Sequence, residues 1–121
     1  MTRITRSGEC GNSPKNAFAE DFAIALLTAD ADKLNNWLAA QCSALLPNGI
    51  NADGTEAIMS AIGKILPDIE SLRIHHAITH GRVGAINGEL VQTEKTTGFA
   101  LMLDFKTTKA DSVAAIRLYL A

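Results

Sequence analysis

The 121-residue sequence lacks the features that mark several protein classes. Its two cysteines, Cys10 and Cys42, are too few for a disulfide framework; free thiols are expected, with a single disulfide as the alternative. No apolar run approaches the roughly 18 residues of a membrane span. The 11 basic residues are scattered among 13 acidic ones, without the clustered Lys/Arg face of nucleic-acid-binding proteins. We therefore expect a cytoplasmic protein that has neither a membrane nor a nucleic acid as its partner.

The composition that remains is that of an ordinary globular domain. The chain is 47% hydrophobic and 20% charged, and its length fits one domain with one core. Residues 1–12 are polar and contain glycine, which predicts a flexible or loosely docked arm. Residues 13–121 are expected to form the single domain.

Helical signals dominate the first half of the domain. Ser13 followed by Pro14 is a helix start, and apolar residues at helical spacing predict a first helix from about residue 14 to residue 29. Phe18 and Phe22 form the heaviest part of its apolar stripe. Asp30 or Asp32 is expected to cap a second, short helix.

A third helix is predicted after the segment Asp53-Gly54-Thr55-Glu56, which resembles a capping box with Asp53 in the capping role. Pro67 ends this helix. A short strand is expected before it, over residues 42–46.

After Pro67 the apolar period changes from that of a helix to that of a strand. Leu72, Ile74 and Ile78 alternate with polar residues, and residues 99–105 alternate most clearly of all. Further strands are predicted over residues 83–92 and 113–120. Helices followed by a four-strand antiparallel meander indicate an α+β domain.

Two segments give the chain a family resemblance. Residues 10–16 (CGNSPKN) and 78–89 (ITHGRVGAINGE) resemble a bacterial SnoaL-like group in the nuclear transport factor 2-like superfamily, in its ketosteroid-isomerase-like branch. The resemblance covers residues 10–121. It implies three N-terminal helices packed on a strongly curved, mainly antiparallel sheet that forms a cone with a pocket, the cystatin-like arrangement.

The resemblance does not assign a function. Relatives in this superfamily include steroid isomerases, polyketide cyclases, dehydratases and epoxide hydrolases, and also non-catalytic binding or dimerisation modules. A fold that carries so many functions leaves the site to decide between them.

Ketosteroid-isomerase chemistry needs a carboxylate base, a hydroxyl donor and a protonated acid around the pocket. The resemblance places Phe22 at the hydroxyl position, Leu46 (or Leu45 after a one-residue slip) at the base position, and Leu101 at the acid position. None of these side chains exchanges a proton or donates a hydrogen bond. The resemblance therefore implies a domain without that chemistry.

His76 is the weak candidate for a replacement acid or base. It shares strand parity with Leu72, Ile74 and Ile78, so it is predicted to face inward, where an imidazole can serve as a general acid or base. The alternative is a histidine held by a neighbouring group for structural reasons. His75 is predicted on the outer face, and His80 in an exposed turn. No metal and no cofactor are expected from this spacing.

Two surfaces remain as candidate sites. The first is an apolar ligand pocket for a hydrophobic small molecule; its predicted lining residues are Phe18, Phe22, Trp37, Leu46, His76, Leu101, Leu103, Ile116 and Leu118. For Trp37 the core interpretation is preferred over stacking on a ligand. The second is the outer sheet face, where Ala100, Met102, Ala115 and Tyr119 predict a homodimer and where Asp104 and Arg117 are expected to pair.

Three functional hypotheses follow from these surfaces. The chain is a module that binds a hydrophobic molecule, an isomerase, cyclase or dehydratase that uses His76, or a dimerisation module whose interior is packed shut.

Overall fold

A computed structural model describes residues 2–8, 10–11 and 13–121 of the chain. Over these residues it contains three α-helices, one short 3₁₀ helix (Pro47–Gly49) and seven strands, which confirms the α+β class. The helices are α1 (Pro14–Leu27), α2 (Ala31–Trp37) and α3 (Thr55–Ile65). The strands are β1 (Arg3–Thr5), β2 (Leu38–Leu46), β3 (Ile50–Asp53), β4 (Ser71–His80), β5 (Val83–Gln92), β6 (Lys95–Phe105) and β7 (Val113–Leu120). No described helix has the length and apolar character needed to cross a membrane.

The strands form one open, mixed sheet in the order β1-β4-β5-β6-β7-β2-β3. The predicted antiparallel meander is confirmed as β4 to β7. β1 runs parallel to β4, and β2 runs parallel to β7. The sequence pattern predicts neither β1 nor β3 and only the second half of β2, because short polar strands depend on their partners rather than on an apolar period.

The helix starts follow local capping. The Ser13 side chain accepts a hydrogen bond from the Asn16 backbone N–H at 3.2 Å, and Asp30 caps α2 by accepting from the Lys33 backbone N–H at 3.3 Å. α1 ends at Leu27, two residues before the predicted end. The capping role predicted for Asp53 is wrong, because Asp53 belongs to β3 and Gly54 is the N-cap of α3 without a side-chain hydrogen bond.

The core lies between the helices and one face of the sheet, here called the inner face. α1 is buried over most of its length because it packs against β4 and β5 and also contacts α2 and α3. Phe22, Ala23 and Leu26 in its middle are completely buried. None of the helices formed by the described residues packs on the opposite side of the sheet, the outer face.

A β-bulge in β4 changes which side chains face inward. Ile74 pairs with Gly88 and His76 pairs with Asn87, so β4 has one extra residue, His75, at this point. The strand parity therefore reverses after Ile74. Ala77 becomes buried, and Ile78 becomes 60% exposed. The prediction that Ile78 and His76 face inward is wrong for this reason.

Gly88 opposite the bulge permits this close pairing. A Cβ atom at Gly88 would overlap the backbone carbonyl oxygen of Arg73 and would lie 3.0 Å from the Phe99 ring. Only glycine leaves the space that β4 occupies at this point.

The N-terminal segment is hydrogen-bonded to the domain at several of its described residues. Arg3 donates its backbone N–H to the Glu70 carbonyl at 2.9 Å, and the Thr2 hydroxyl donates to the Ile69 carbonyl at 2.8 Å. Thus part of the expected flexible arm, residues 3–5, adds an edge strand to the sheet.

Candidate functional site

The predicted pocket residues mostly fill the interior. The following side chains are at most 3% exposed and belong to one hydrophobic core: Phe22, Leu46, Leu101, Leu103, Ile116 and Leu118. They occupy the space between α1 and the inner face instead of surrounding it. This packing agrees with the hypothesis of a closed interior.

Phe18 and Trp37 lie at the margin of this core. The Phe18 ring contacts the Trp37 ring edge-to-face with centroids 5.2 Å apart, and it lies 6.2 Å from the Phe105 ring. The Lys33 ammonium lies 5.9 Å from the Trp37 ring centroid. Trp37 is therefore a packing residue that joins α2 to the core, as the preferred interpretation stated.

The positions that the resemblance assigned to catalysis lie inside this core. Phe22, Leu46 and Leu101 carry no proton donor or acceptor on the side chain, and each is buried. A developing oxyanion finds no side-chain hydrogen bond at these three positions. They do not reproduce the ketosteroid-isomerase arrangement.

His76 lies on the outer face and not over the interior. It is exposed and stands opposite Asn87 in the register of β4 and β5. The bulge residue His75 contacts Glu89, with its Nε2 atom 2.9 Å from the carboxylate. The acid–base role predicted for His76 needs a position beside an inner pocket, and His76 does not have that position.

The outer face presents a continuous set of apolar side chains, here called the outer patch. It consists of Leu45, Ile78, Ala85, Ala100, Met102 and Tyr119. The strand registers relate five of them: Ala85 pairs with Ile78 on one side and with Met102 on the other, and Ala100 pairs with Tyr119. Leu45 pairs with Arg117 and borders the same hollow as Tyr119. Ile78 is 60%, Tyr119 53% and Met102 37% exposed.

The small side chains of Ala85 and Ala100 leave a depression in the outer patch. Its volume is about 430 Å³, and Ile78, Met102, His76 and Asn87 stand around it. Apolar side chains thus form most of its wall, with one imidazole and one carboxamide beside them. This is a different place from the interior pocket that the sequence predicted.

Asp104 and Arg117 flank the outer patch on neighbouring strands. The ion pair predicted between them is not among those that the described residues form, although both side chains lie on the outer face. The register explains why the two side chains do not pair, because Arg117 stands opposite Met102 and Asp104 stands opposite Ala115.

Glu20 on α1 is a buried carboxylate that was not among the residues predicted from the sequence. It is 3% exposed, and it accepts hydrogen bonds from the Ser7 backbone N–H at 2.7 Å and from the Cys10 thiol at 3.3 Å. The Arg6 guanidinium lies 3.6 Å away and also contacts Asp21 at 2.6 Å. The sequence signal that could have indicated this buried carboxylate was an acidic residue inside the apolar run of the first helix.

The electrostatics of this cluster are those of a structural anchor. Burial alone raises the pKa of Glu20, but the hydrogen bonds from Ser7 and Cys10 and the charge of Arg6 outweigh it, and the pKa lies below its usual value. Burial and the Glu20 carboxylate raise the pKa of the Cys10 thiol. Cys10 therefore has little thiolate character and is a poor nucleophile.

A second groove, of about 750 Å³, lies where α1 and α3 end beside β1. Thr2, Arg3, Asp68 and Glu70 contribute to its wall, so its character is polar and not that of a hydrophobic-ligand site. Within the described part of the chain, no three His, Cys, Asp or Glu side chains are grouped closely enough to hold a metal ion.

The fold defined by these elements is that of nuclear transport factor 2-like and SnoaL-like proteins. A candidate ketosteroid isomerase from Kribbella flavida is similar over 88% of this chain and 77% of its own, with a TM-score of 0.75 and 14% identity. A SnoaL-like family member from Agrobacterium tumefaciens covers 88% of this chain and 97% of its own, with a TM-score of 0.71 and 11% identity.

An uncharacterised Silicibacter pomeroyi protein with a cystatin-like fold covers 92% of this chain and 76% of its own, with a TM-score of 0.73 and 12% identity. No protein-family model and no curated protein matches the sequence. At these identities the similarity establishes the fold, and the function has to be argued from the chain's own residues.

Proposed function

We propose that this chain is a homodimerisation module that operates without ketosteroid-isomerase chemistry. The observation that carries the proposal is the outer patch, whose apolar side chains extend over β4, β5, β6, β7 and β2. They lie on the face opposite α1, α2 and α3, the helices of the described residues. Antiparallel sheets with one face in the core normally present polar side chains on the other. Contiguous exposed apolar side chains on such a face mark an interaction surface.

The filled interior supports the same conclusion. Phe22 and Leu101, which the resemblance assigns to the catalytic positions of the isomerase arrangement, are completely buried and offer no side chain for that chemistry. The free thiols of Cys10 and Cys42 are consistent with the cytoplasmic location that belongs to this proposal.

Met102 offers the sharpest test, because it lies in the middle of the outer patch. In a two-fold symmetric interface each substitution occurs twice. A Met102→Lys variant would bury two ammonium groups, and we expect its dissociation constant to rise at least about 100-fold. Sedimentation equilibrium over a range of concentrations measures this change.

Ile4→Lys is the matched control. Ile4 is 42% exposed, close to the 37% of Met102, but it pairs with the inward-facing Leu72 and so lies on the other side of the sheet. This variant is expected to dimerise like the unmodified chain. A chain that stays monomeric at all accessible concentrations, or a Met102→Lys dimer of undiminished affinity, would refute the proposal.

Binding of a hydrophobic small molecule is the second candidate function. The depression of about 430 Å³ over Ala85 and Ala100 favours it, because its wall is apolar and two polar side chains stand beside it. Native mass spectrometry of freshly purified protein, followed by organic extraction, tests both candidates together. A reproducible extra mass supports binding, and a dimer without one leaves dimerisation as the function.

A further inference from the structure

Two opposite charges stand in unusual places on the outer face. Asp104 on β6 and Arg117 on β7 face the same side, and each is surrounded by apolar cross-strand neighbours. The four residues directly opposite them are Val83 and Ala115 for Asp104, and Met102 and Leu45 for Arg117. Neither charge therefore has a countercharge directly across the sheet.

The two charges also lack a close ionic partner elsewhere. Within residues 2–8, 10–11 and 13–121, no cationic group lies within 4.0 Å of the Asp104 carboxylate, and no carboxylate lies within that distance of the Arg117 guanidinium. The two residues are diagonal neighbours on adjacent strands, because Arg117 pairs with Met102, two residues before Asp104. Each copy thus presents Asp104 and Arg117, an acid and a base without a close ionic partner in the described residues, beside an apolar surface.

A second copy of the chain complements this pattern. In an isologous interface, residue i of one copy meets residue j of the other, and residue j meets residue i. A surface with one acid and one base can therefore form the same ion pair twice around a single two-fold axis. Such complementary charges fix the register of an interface and select against wrong partners.

We infer that Asp104 of each copy pairs with Arg117 of the other copy across the two-fold axis of the dimer. This inference rests on the proposed dimer and names the contacts that set its register. Met102, which stands opposite Arg117 and precedes Asp104 by two residues, is then central to the apolar contact between the two ion pairs.

Charge reversal with mixing tests the pairing. Asp104→Arg places two like-charged pairs in its own homodimer, and Arg117→Asp does the same with the opposite sign. Each variant alone is expected to dimerise at least about 10-fold more weakly than the unmodified chain. A 1:1 mixture has opposite charges at both contacts, so a heterodimer with an affinity within about 10-fold of the original is expected.

The outcomes separate this inference from the proposal on which it rests. An unmodified chain that is monomeric by sedimentation equilibrium overturns the dimer and the pairing together. A dimeric unmodified chain whose reversed variants dimerise equally well, or whose mixture stays monomeric, overturns the pairing alone.

The control for added charge is Asp111→Arg, an exposed position in the turn between β6 and β7. It is expected to dimerise like the unmodified chain. If circular dichroism shows a reversed variant to be unfolded, the neutral variants Asp104→Asn and Arg117→Gln and their double mutant replace it. In this double-mutant cycle, the effect of the double mutant on the dimer dissociation constant is expected to differ at least about threefold from the product of the two single effects. Independent effects of the two substitutions would overturn the pairing.

Discussion

Truncation of Phe22 tests whether the interior is filled or open. Phe22 is completely buried in the middle of α1, and its ring lies 6.5 Å from that of Phe18. A Phe→Ala change in a close-packed core costs about 3–5 kcal/mol, because the lost burial is joined by the cost of the cavity. We expect the free energy of unfolding of Phe22→Ala to fall by that amount.

Urea denaturation followed by circular dichroism measures this loss. In a domain of this size, about 4 °C of melting temperature corresponds to each kcal/mol, so a decrease of roughly 12–20 °C is expected. Ile50→Ala, which removes an apolar side chain that is 39% exposed, is the control and should cost less than about 1 kcal/mol. If Phe22→Ala also lost less than about 1 kcal/mol, this ring would face an open pocket and the interior would not be filled.

The same variant creates the apolar cavity that the unmodified chain lacks at this position. An apolar space of about 150 Å³ in a protein core stays dry and binds benzene. Benzene is therefore expected to raise the melting temperature of Phe22→Ala and to leave that of the unmodified chain unchanged. Equal stabilisation of both proteins by benzene would show that the interior already contains a cavity.

Three further variants, one of them with a matched control, test the other structural conclusions. Gly88→Ala should destabilise the fold by about 1–3 kcal/mol or more, because the new Cβ would overlap the Arg73 carbonyl oxygen. Its control is Gly63→Ala on α3, where the new Cβ has no neighbouring atom; this variant should be more stable by about 0.5–1 kcal/mol in the same thermal melts. Glu20→Gln should cost about 1–3 kcal/mol at pH 7, because the hydrogen bonds from Ser7 and Cys10 lose their charged acceptor. The pKa of Glu20 is lowered, so this stabilisation is complete above its ordinary pKa of 4.5 and disappears as the pH falls through the pKa of the folded state. If the two proteins still differed in unfolding free energy in strong acid, the charged carboxylate would not be the source of the stabilisation. Ser13→Ala should cost about 1 kcal/mol through loss of the α1 cap, and an unchanged urea midpoint would show that the cap contributes nothing.

Local sequence determined the parts of this protein whose physics is local. Ser13 and Pro14 start α1 because a side-chain cap and a preset φ act within one turn. The alternation over residues 99–105 specifies a strand with one buried face because the side-chain period of a strand is two. The absence of acid–base side chains at Phe22, Leu46 and Leu101 is likewise a property of the sequence, because residue type alone decides whether a side chain can exchange a proton.

Tertiary structure decided the features that depend on contacts between distant residues. The extra residue at His75 exists only relative to β5, and it alone moves His76 and Ile78 to the outer face. β1 becomes a strand because β4 offers it an edge to pair with, and Glu20 is buried where Arg6, Ser7 and Cys10 contact α1. The alternating pattern of each strand indicated apolar side chains on both faces, but only the registers joined those of the outer face into one patch with Asp104 and Arg117 at its side.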